Sequence, residues 1–187
     1  YIPPAKVVHK SYKPQIKGEI SKIEEAIKIM AGAKKPIIYA GGGVINSGPK
    51  ASQLLNQLVQ TTDFPCTLTL MGLGALPASD KHFLGMLGMH GTYEANMAMH
   101  DCDVMLCIGA RFDDRVTGRT DAFSPNSTKI HIDIDPSSIN KTIRVDLGIV
   151  GDVGHVLEDM INIWKSGQNR CDVKAIESWW KTINKWR

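Results

Sequence analysis

The chain has little net charge: 22 Lys and Arg stand against 19 Asp and Glu, a balance of +3 over 187 residues. A surplus that small, spread along the sequence, does not announce a nucleic-acid partner or a polyanionic membrane surface. Long apolar runs are missing too, and none approaches the ~20 residues that a membrane span needs. The opening residues do not read as a signal peptide. The sequence opens Tyr1-Ile2-Pro3-Pro4 without a Met, which reads as a piece cut from something longer. Cysteine is scarce: the four (Cys66, Cys102, Cys107 and Cys171) include no C-x-x-C pair, which argues against a zinc ribbon or a thioredoxin-type redox site. Three of them lie in apolar runs and read as small buried hydrophobes, suited to a reducing cytoplasmic setting. No zinc pattern and no hydrolase nucleophile motif is present. His9, His82, His100, His131 and His155 are scattered and read as structural.

What is present is an ordinary globular composition, 43% hydrophobic and 22% charged, in a length suited to one domain. Residues 1–17, with three prolines and four lysines, read as an incoming linker. Residues 18–166 read as the domain itself, and residues 167–187 as a helix leading to a further domain. A helix is expected over Gly18 to Gly32, with Ile20, Ile23, Ile27 and Met30 on one stripe and Ser21 and Glu24 as a capping box. Strands are expected at Pro36–Ala40, Cys66–Leu70, Phe83–Leu87, Val104–Ile108, Lys129–Ile134 and Gly148–Val150. Helices are expected over Pro49–Thr61, over Thr92–His100 and after Asp152, the last with Val156, Leu157, Met160, Ile161 and Trp164 inward. In the terminal stretch, Ile176, Trp179, Trp180 and Ile183 fall on another helical stripe. Most of the strands are continuous apolar runs, the pattern of a parallel sheet buried on both faces. The fold class is therefore α/β, doubly wound and Rossmann-like: a six-stranded, mostly parallel sheet with helices on both faces.

Glycine collects at the carboxyl ends of these strands, at Gly41, Gly42 and Gly43, at Gly72 and Gly74, at Gly88 and Gly91, at Gly109 and at Gly151. In a parallel sheet those ends face the ligand crevice, and glycine lets a ligand approach the backbone closely. The stretch from Gly41 to Asn46 departs from G-x-G-x-x-G, with Asn46 in place of the third glycine, and no acidic residue ends the second strand. An ordinary NAD-dehydrogenase reading is thereby disfavoured. The densest polar cluster is Arg111-Phe112-Asp113-Asp114-Arg115-Val116-Thr117-Gly118-Arg119, directly after a buried strand. Its guanidinium groups suit phosphate or carboxylate, and its carboxylates suit ribityl or ribose hydroxyls.

Four stretches carry a family resemblance: Lys35-Pro36 through Gly43, Leu87-Gly88-Met89-His90-Gly91-Thr92, Gly109-Ala110-Arg111 through Gly118, and His131-Ile132-Asp133-Ile134-Asp135-Pro136. Together they resemble the central domain of the acetolactate synthase (acetohydroxyacid synthase) catalytic subunit, over about Pro3 to Trp164. The resemblance implies an FAD-binding middle domain of a thiamine diphosphate-dependent transferase, in which the flavin has no net redox role. That family decarboxylates pyruvate and joins the two-carbon fragment to pyruvate or 2-oxobutyrate, toward branched-chain amino acids. It implies cofactor contacts at Gly41, Gly42, Gly43, Thr69, Leu70 and Met71, and along the centre of the crevice at Leu87, Gly88, Met89 and His90. Gly109, Ala110, Arg111, Asp113, Arg115 and Val116 would hold the ribityl-diphosphate region and the flavin side, and Asp133, Ile134, Asp152 and Val153 the adenine end. Met89, Asp114 and Arg115 would face the substrate and inhibitor channel.

The resemblance also implies thiamine diphosphate and Mg²⁺ in flanking domains of the same chain. It implies a homodimer or homotetramer of full-length subunits, a regulatory small subunit and a cytoplasmic location. No catalytic residue and no metal ligand of the family falls in this stretch, so the fragment is expected to be inactive alone. Against it stands a flavin-free middle domain that only spaces the thiamine domains of another carboligase or decarboxylase.

Overall fold

The computed structural model describes residues 13–167 and 169–187. Residues 1–12, which make up most of the expected linker and include His9, lie outside the described residues.

Six strands form one sheet: β1 (Pro36–Ala40), β2 (Cys66–Leu68), β3 (Phe83–Met86), β4 (Val104–Ile108), β5 (Thr128–Asp133) and β6 (Leu147–Val150). Their order is β3-β2-β1-β4-β5-β6, and all five neighbouring pairs are parallel. The chain builds outward from β1 in one direction, then returns to β4 and builds the other way. This is the doubly wound arrangement, with its topological switch between β1 and β4.

The two central strands are buried along their whole length, as the continuous apolar runs require. Alternate residues feed two separate cores. Ile38, Ala40, Leu106 and Ile108 face one core, with α1 (Ile20–Ala31), α3 (Pro49–Thr62) and α6 (Val153–Ser166). Ile37, Tyr39, Met105 and Cys107 face the other, with α4 (Tyr93–Asp101) and α7 (Val173–Ile183). Cys66, Cys102 and Cys107 are buried free thiols, and burial pushes the Cys102 thiol up to about 11. They act as apolar packing rather than as nucleophiles.

Three local expectations are corrected. The start of α1 is not a capping box: Glu19 is the N-cap and its side chain accepts no helix backbone N–H, while the Ser21 hydroxyl donates to the Glu19 carboxylate at 2.7 Å. Ile20, expected on the inward stripe, is 50% exposed because it occupies the first turn. The second strand ends at Leu68, since the Thr69 hydroxyl accepts from the Gly72 N–H at 3.0 Å and caps a 3₁₀ turn over Leu70–Gly72. That turn rotates Leu70 and Met71 outward. In α7, Ile176, Trp179 and Ile183 pack into the body of the domain, and Trp179 Nε1 donates to the Pro36 carbonyl at 2.9 Å.

Candidate functional site

The carboxyl ends of β1 and β4 part around a cleft of about 840 Å³, within the range of ligand pockets. Its floor is the junction of two glycine turns. Gly41 N–H continues the β4 pairing to the Ile108 carbonyl at 2.9 Å, and Gly43 N–H donates to the Gly109 carbonyl at 2.9 Å. Gly41 is the N-cap of a five-residue helix, α2 (Gly42–Asn46), which the glycine-rich sequence hides. Gly42 leaves bare backbone opposite Met71. A Cβ on Gly42 would stand 3.1 Å from the Met71 Cβ and narrow the cleft there.

One wall comes from the 3₁₀ turn and from the end of β3. The pairing of β2 with β3 slips by one residue, from Cys66 opposite Phe83 to Leu68 opposite Met86. Gly85, at φ 89°, takes up the slip, and the Thr67 hydroxyl donates to its carbonyl at 2.9 Å. Such a bulge bends its strand, and here Met86 and Leu87 come to line the cleft. Beyond them Met89 is 71% exposed and His90 is exposed as well.

The opposite wall is the arginine-rich loop. Phe112 anchors it: the ring is 2% exposed, 6.1 Å from Tyr39, 5.7 Å from Phe123 and 5.2 Å from the His131 ring. With Phe112 turned in, its neighbours Arg111 and Asp113 turn out, 3.5 Å apart as an exposed ion pair. The four-residue helix α5 (Asp114–Thr117) follows, with Asp114 and Arg115 exposed on the cleft. Arg119 points elsewhere, held to Asp121 by two bonds of 3.1 and 2.6 Å.

Asp133 and Ile134 close the far end. The Asp133 carboxylate accepts the Asp135 N–H at 2.9 Å. His131 Nε2 is 3.7 Å from it, and neither ring nitrogen of this fully buried histidine has a hydrogen-bond partner among the described residues. Burial pushes the His131 pKa down, outweighing Asp133, so the ring is neutral beneath the site. Tyr39 lies under the floor. Burial, with smaller effects from Cys107 and Asp113, raises its phenol far above the ordinary value, so it stays protonated.

The cleft gathers most of the residues marked in the sequence. Thr69, Leu70 and Met71, Leu87, Met89 and His90, and Arg111, Asp113, Arg115 and Val116 line it, with Gly42, Gly43, Gly109, Ala110, Asp133 and Ile134. Four lie elsewhere. Gly41 is buried beneath the floor, and Gly88 packs behind the wall on the Arg115 carbonyl and Val116. Asp152 caps α6, accepting from Gly154 N–H at 3.0 Å and from the Ser47 hydroxyl at 2.8 Å, and Val153 is buried in the core. Tyr39, Ile45, Asn46 and Met86 also line the cleft and carry no signal in the sequence beyond their nearness to strand ends. Among the described residues, no group of three or more His, Cys, Asp or Glu side chains is placed to hold a metal ion.

Residues 23–160 match the family described as "Thiamine pyrophosphate enzyme, central domain". The chain belongs to this family. Its relatives agree. Along its whole length the chain is 45% identical to the acetolactate synthase isozyme 3 large subunit of Escherichia coli (strain K12), covering 32% of that protein. It is 46% identical over 187 residues to the acetolactate synthase large subunit of Buchnera aphidicola subsp. Schizaphis graminum, again all of this chain and 32% of the relative. The acetolactate synthase large subunit of Haemophilus influenzae is 46% identical over 184 residues, 98% of this chain and 32% of its own. The chain thus spans about a third of the length of the curated relatives it matches. No helix among the described residues is long and apolar enough to cross a membrane.

Proposed function

We propose that this central domain belongs to an acetolactate synthase large subunit and that the cleft between β1 and β4 binds FAD. The observation that carries the reading is the position of the Arg111–Val116 loop, which brings two exposed guanidinium groups to the topological switch point of a doubly wound sheet. That crevice is where open α/β sheets take their ligands, and guanidinium groups suit a diphosphate or a carboxylate.

The residues present fit the group. The glycine turns at Gly42–Gly43 and Gly109 leave backbone bare along the floor, and Gly42 lacks the Cβ that would narrow the space beside Met71. Arg111 would hold the diphosphate, Arg115 would stand at the flavin side, and Asp113 and Asp133 would accept hydroxyl hydrogens. The apolar side chains of Met71, Leu87 and Met89 would lie against the flavin rings. An extended dinucleotide also suits a cleft of about 840 Å³. FAD supplies a flat, redox-capable ring system, and in this reading its task is structural. Met89, Asp114 and Arg115, exposed at the rim, would face the substrate channel, with Arg115 toward the carboxylate of the second 2-oxoacid.

Thiamine diphosphate and Mg²⁺ would be held by flanking domains of the longer chain, in a cytoplasmic homodimer or homotetramer with a regulatory small subunit. The chain by itself would form no acetolactate. Flavin fluorescence tests the proposal. Titration of the purified chain and of the full-length protein with FAD should give saturable binding in at least the latter, weakened by Arg111→Ala and by Asp113→Ala. Full-length protein that binds no flavin would leave this domain as a spacer between its neighbours.

A further inference from the structure

The wall that carries Leu87, Met89 and His90 ends in two exposed side chains, those of Met89 and His90. Met89 and His90 therefore cannot be positioned by packing of their own. Their backbone is held by a residue outside the cleft. Asn96, on the second turn of α4, reaches back and pairs with both polar groups of Gly88. Its Oδ1 accepts the Gly88 N–H at 3.0 Å, and its Nδ2 donates to the Gly88 carbonyl at 3.1 Å. The same Nδ2 donates to the Thr92 carbonyl at 3.0 Å. The amide is thus fixed in one orientation, because the reversed one would set oxygen against oxygen at Gly88.

The clamp extends to the arginine-rich loop. Gly88 adopts φ 100°, and a Cβ there would lie 2.6 Å from the Arg115 carbonyl oxygen. The next N–H, of Met89, donates to that same carbonyl at 2.9 Å. Thr92, the N-cap of α4, ties the helix start to β3 through the Leu84 carbonyl. One connected path therefore runs from α4 through Asn96 and Gly88 to Met89 and the backbone of Arg115.

We propose that Asn96 is the positioning residue of the ligand cleft, setting the separation and orientation of Met89 and Arg115 without touching the ligand. The inference rests on the flavin reading, and the position demands an asparagine for a stated reason. Alanine would free both groups of Gly88. Aspartate has nearly the same shape, but its carboxylate is acceptor-only, so it keeps the bond to Gly88 N–H and sets an oxygen against the Gly88 carbonyl. A protonated Asp would regain one donor and restore the pair.

The experiment uses the full-length protein with Asn96→Asp and Asn96→Ala. It measures FAD affinity, the shape of the bound-flavin absorption band and the exchange rates of the Gly88 and Met89 amides, each between pH 7 and about pH 4, where an ordinary aspartate is half protonated. Leaving a polar group unpaired corresponds to roughly tenfold to a hundredfold in affinity. Both variants should bind FAD that much more weakly at pH 7, with an altered flavin band and faster Met89 exchange. Lowering the pH should restore Asn96→Asp toward wild type and leave Asn96→Ala unchanged, a rescue that a general loss of stability would not produce. Wild-type affinity and spectrum in both variants would overturn the inference and leave the flavin reading intact. Equal, pH-independent losses in both variants would overturn it as well, by assigning Asn96 a bulk structural role. If the wild type itself binds no FAD, the flavin reading fails, and amide exchange decides the clamp: unchanged Gly88 and Met89 rates in Asn96→Asp overturn it.

Discussion

Gly43 and Gly109 meet back to back beneath the cleft: a Cβ on Gly43 would lie 2.7 Å from the Gly109 Cα, and a Cβ on Gly109 would lie 2.7 Å from the Gly43 Cα. The contact joins the ends of β1 and β4, so the floor of the cleft exists only while both residues lack side chains. Gly109 also has φ 56°, in the left-handed region. Gly109→Ala should therefore cost both the backbone penalty and the overlap, about 2–5 kcal/mol together. Gly118 supplies the control, since it has φ 53° but nothing within 4 Å of its missing Cβ. Gly118→Ala should cost only the backbone part, about 1–3 kcal/mol, since φ 53° with ψ −120° is a sparsely populated region. Urea denaturation of both variants, at unchanged m, checks the difference. Equal midpoints would mean that the glycine contact does not constrain the floor.

A second prediction concerns acid stability. His82 is 1% exposed, with Nδ1 2.6 Å from Asp80 Oδ1 and Nε2 2.8 Å from Asp63 Oδ1, and the Trp180 ring lies edge-on at 5.7 Å. Burial pushes the Asp80 carboxyl up. The His82 backbone N–H, the His82 ring and Gln60 together outweigh that and hold it below the ordinary carboxylate value. A depressed carboxyl contributes stability that is present above its unfolded pKa, near ~3.9, and is lost as the pH falls through the folded value. The thermal midpoint should therefore drop as the pH falls below about 4, and Asp80→Asn should flatten that drop. His82→Leu should cost stability at neutral pH as well, about 1–3 kcal/mol, because Asp80 loses a hydrogen-bond partner. Asp63, being half exposed, can return to water.

How far the sequence revealed this molecule depends on which force fixed each part. The strands β1 and β4 were legible because burial on both faces leaves five consecutive apolar residues, whatever else the chain does. The inward stripes of α3 and α6 were legible for the same reason, and Leu55, Leu58, Val156 and Met160 are all fully buried. What was hidden depended on single hydrogen bonds. Thr69 stopped β2 two residues early by capping a turn, and Ser21 bonded Glu19 instead of the helix. The helix Gly42–Asn46 was masked by glycines of low helical propensity, which hid Ile45 and Asn46 as cleft residues. Glycine at the strand ends marked the region correctly, but it could not separate those that line the cleft (Gly42, Gly43, Gly109) from those packed behind it (Gly41, Gly88). That difference is set by φ and by neighbours distant in sequence.

A third prediction addresses the terminal helix. Trp179 is 2% exposed, its indole bonds the Pro36 carbonyl at the start of β1, and the Trp186 ring crosses it edge-on at 5.7 Å. Trp179→Ala should cost about 3–5 kcal/mol, the usual loss for a large buried aromatic side chain. Trp179→Phe keeps most of the apolar contact but leaves the Pro36 carbonyl unpaired, for about 1–3 kcal/mol. Val173→Ala, at a side chain 67% exposed, should fall within about 0.5 kcal/mol of wild type. Chemical denaturation ranks the three. A Trp179→Ala variant as stable as Val173→Ala would mean that α7 is an appendage rather than part of the second core.

The last prediction separates the two arginines of the cleft. Arg111 faces Asp113 at 3.5 Å, so part of its charge is already offset. Arg115 sits one turn further on, and its carbonyl is the anchor for Met89 N–H, so the backbone stays in place when the side chain is removed. If Arg111 holds the diphosphate, Arg111→Ala should weaken FAD binding and make it less sensitive to salt, since screening acts on the exposed charges that remain. Arg111→Lys should recover only part of the loss, because an ammonium cannot give the planar two-bond contact. Arg115→Ala in the full-length enzyme should raise the KM for the second 2-oxoacid by roughly tenfold to a hundredfold, the worth of a hydrogen bond to a charged group. The rate at saturation should change less, as expected for a contact made equally in the ground and transition states. Steady-state carboligation with pyruvate alone, and with pyruvate plus 2-oxobutyrate, measures the split at full flavin occupancy. An unchanged KM for both acceptors would remove Arg115 from the substrate channel and leave it as a residue of the flavin wall.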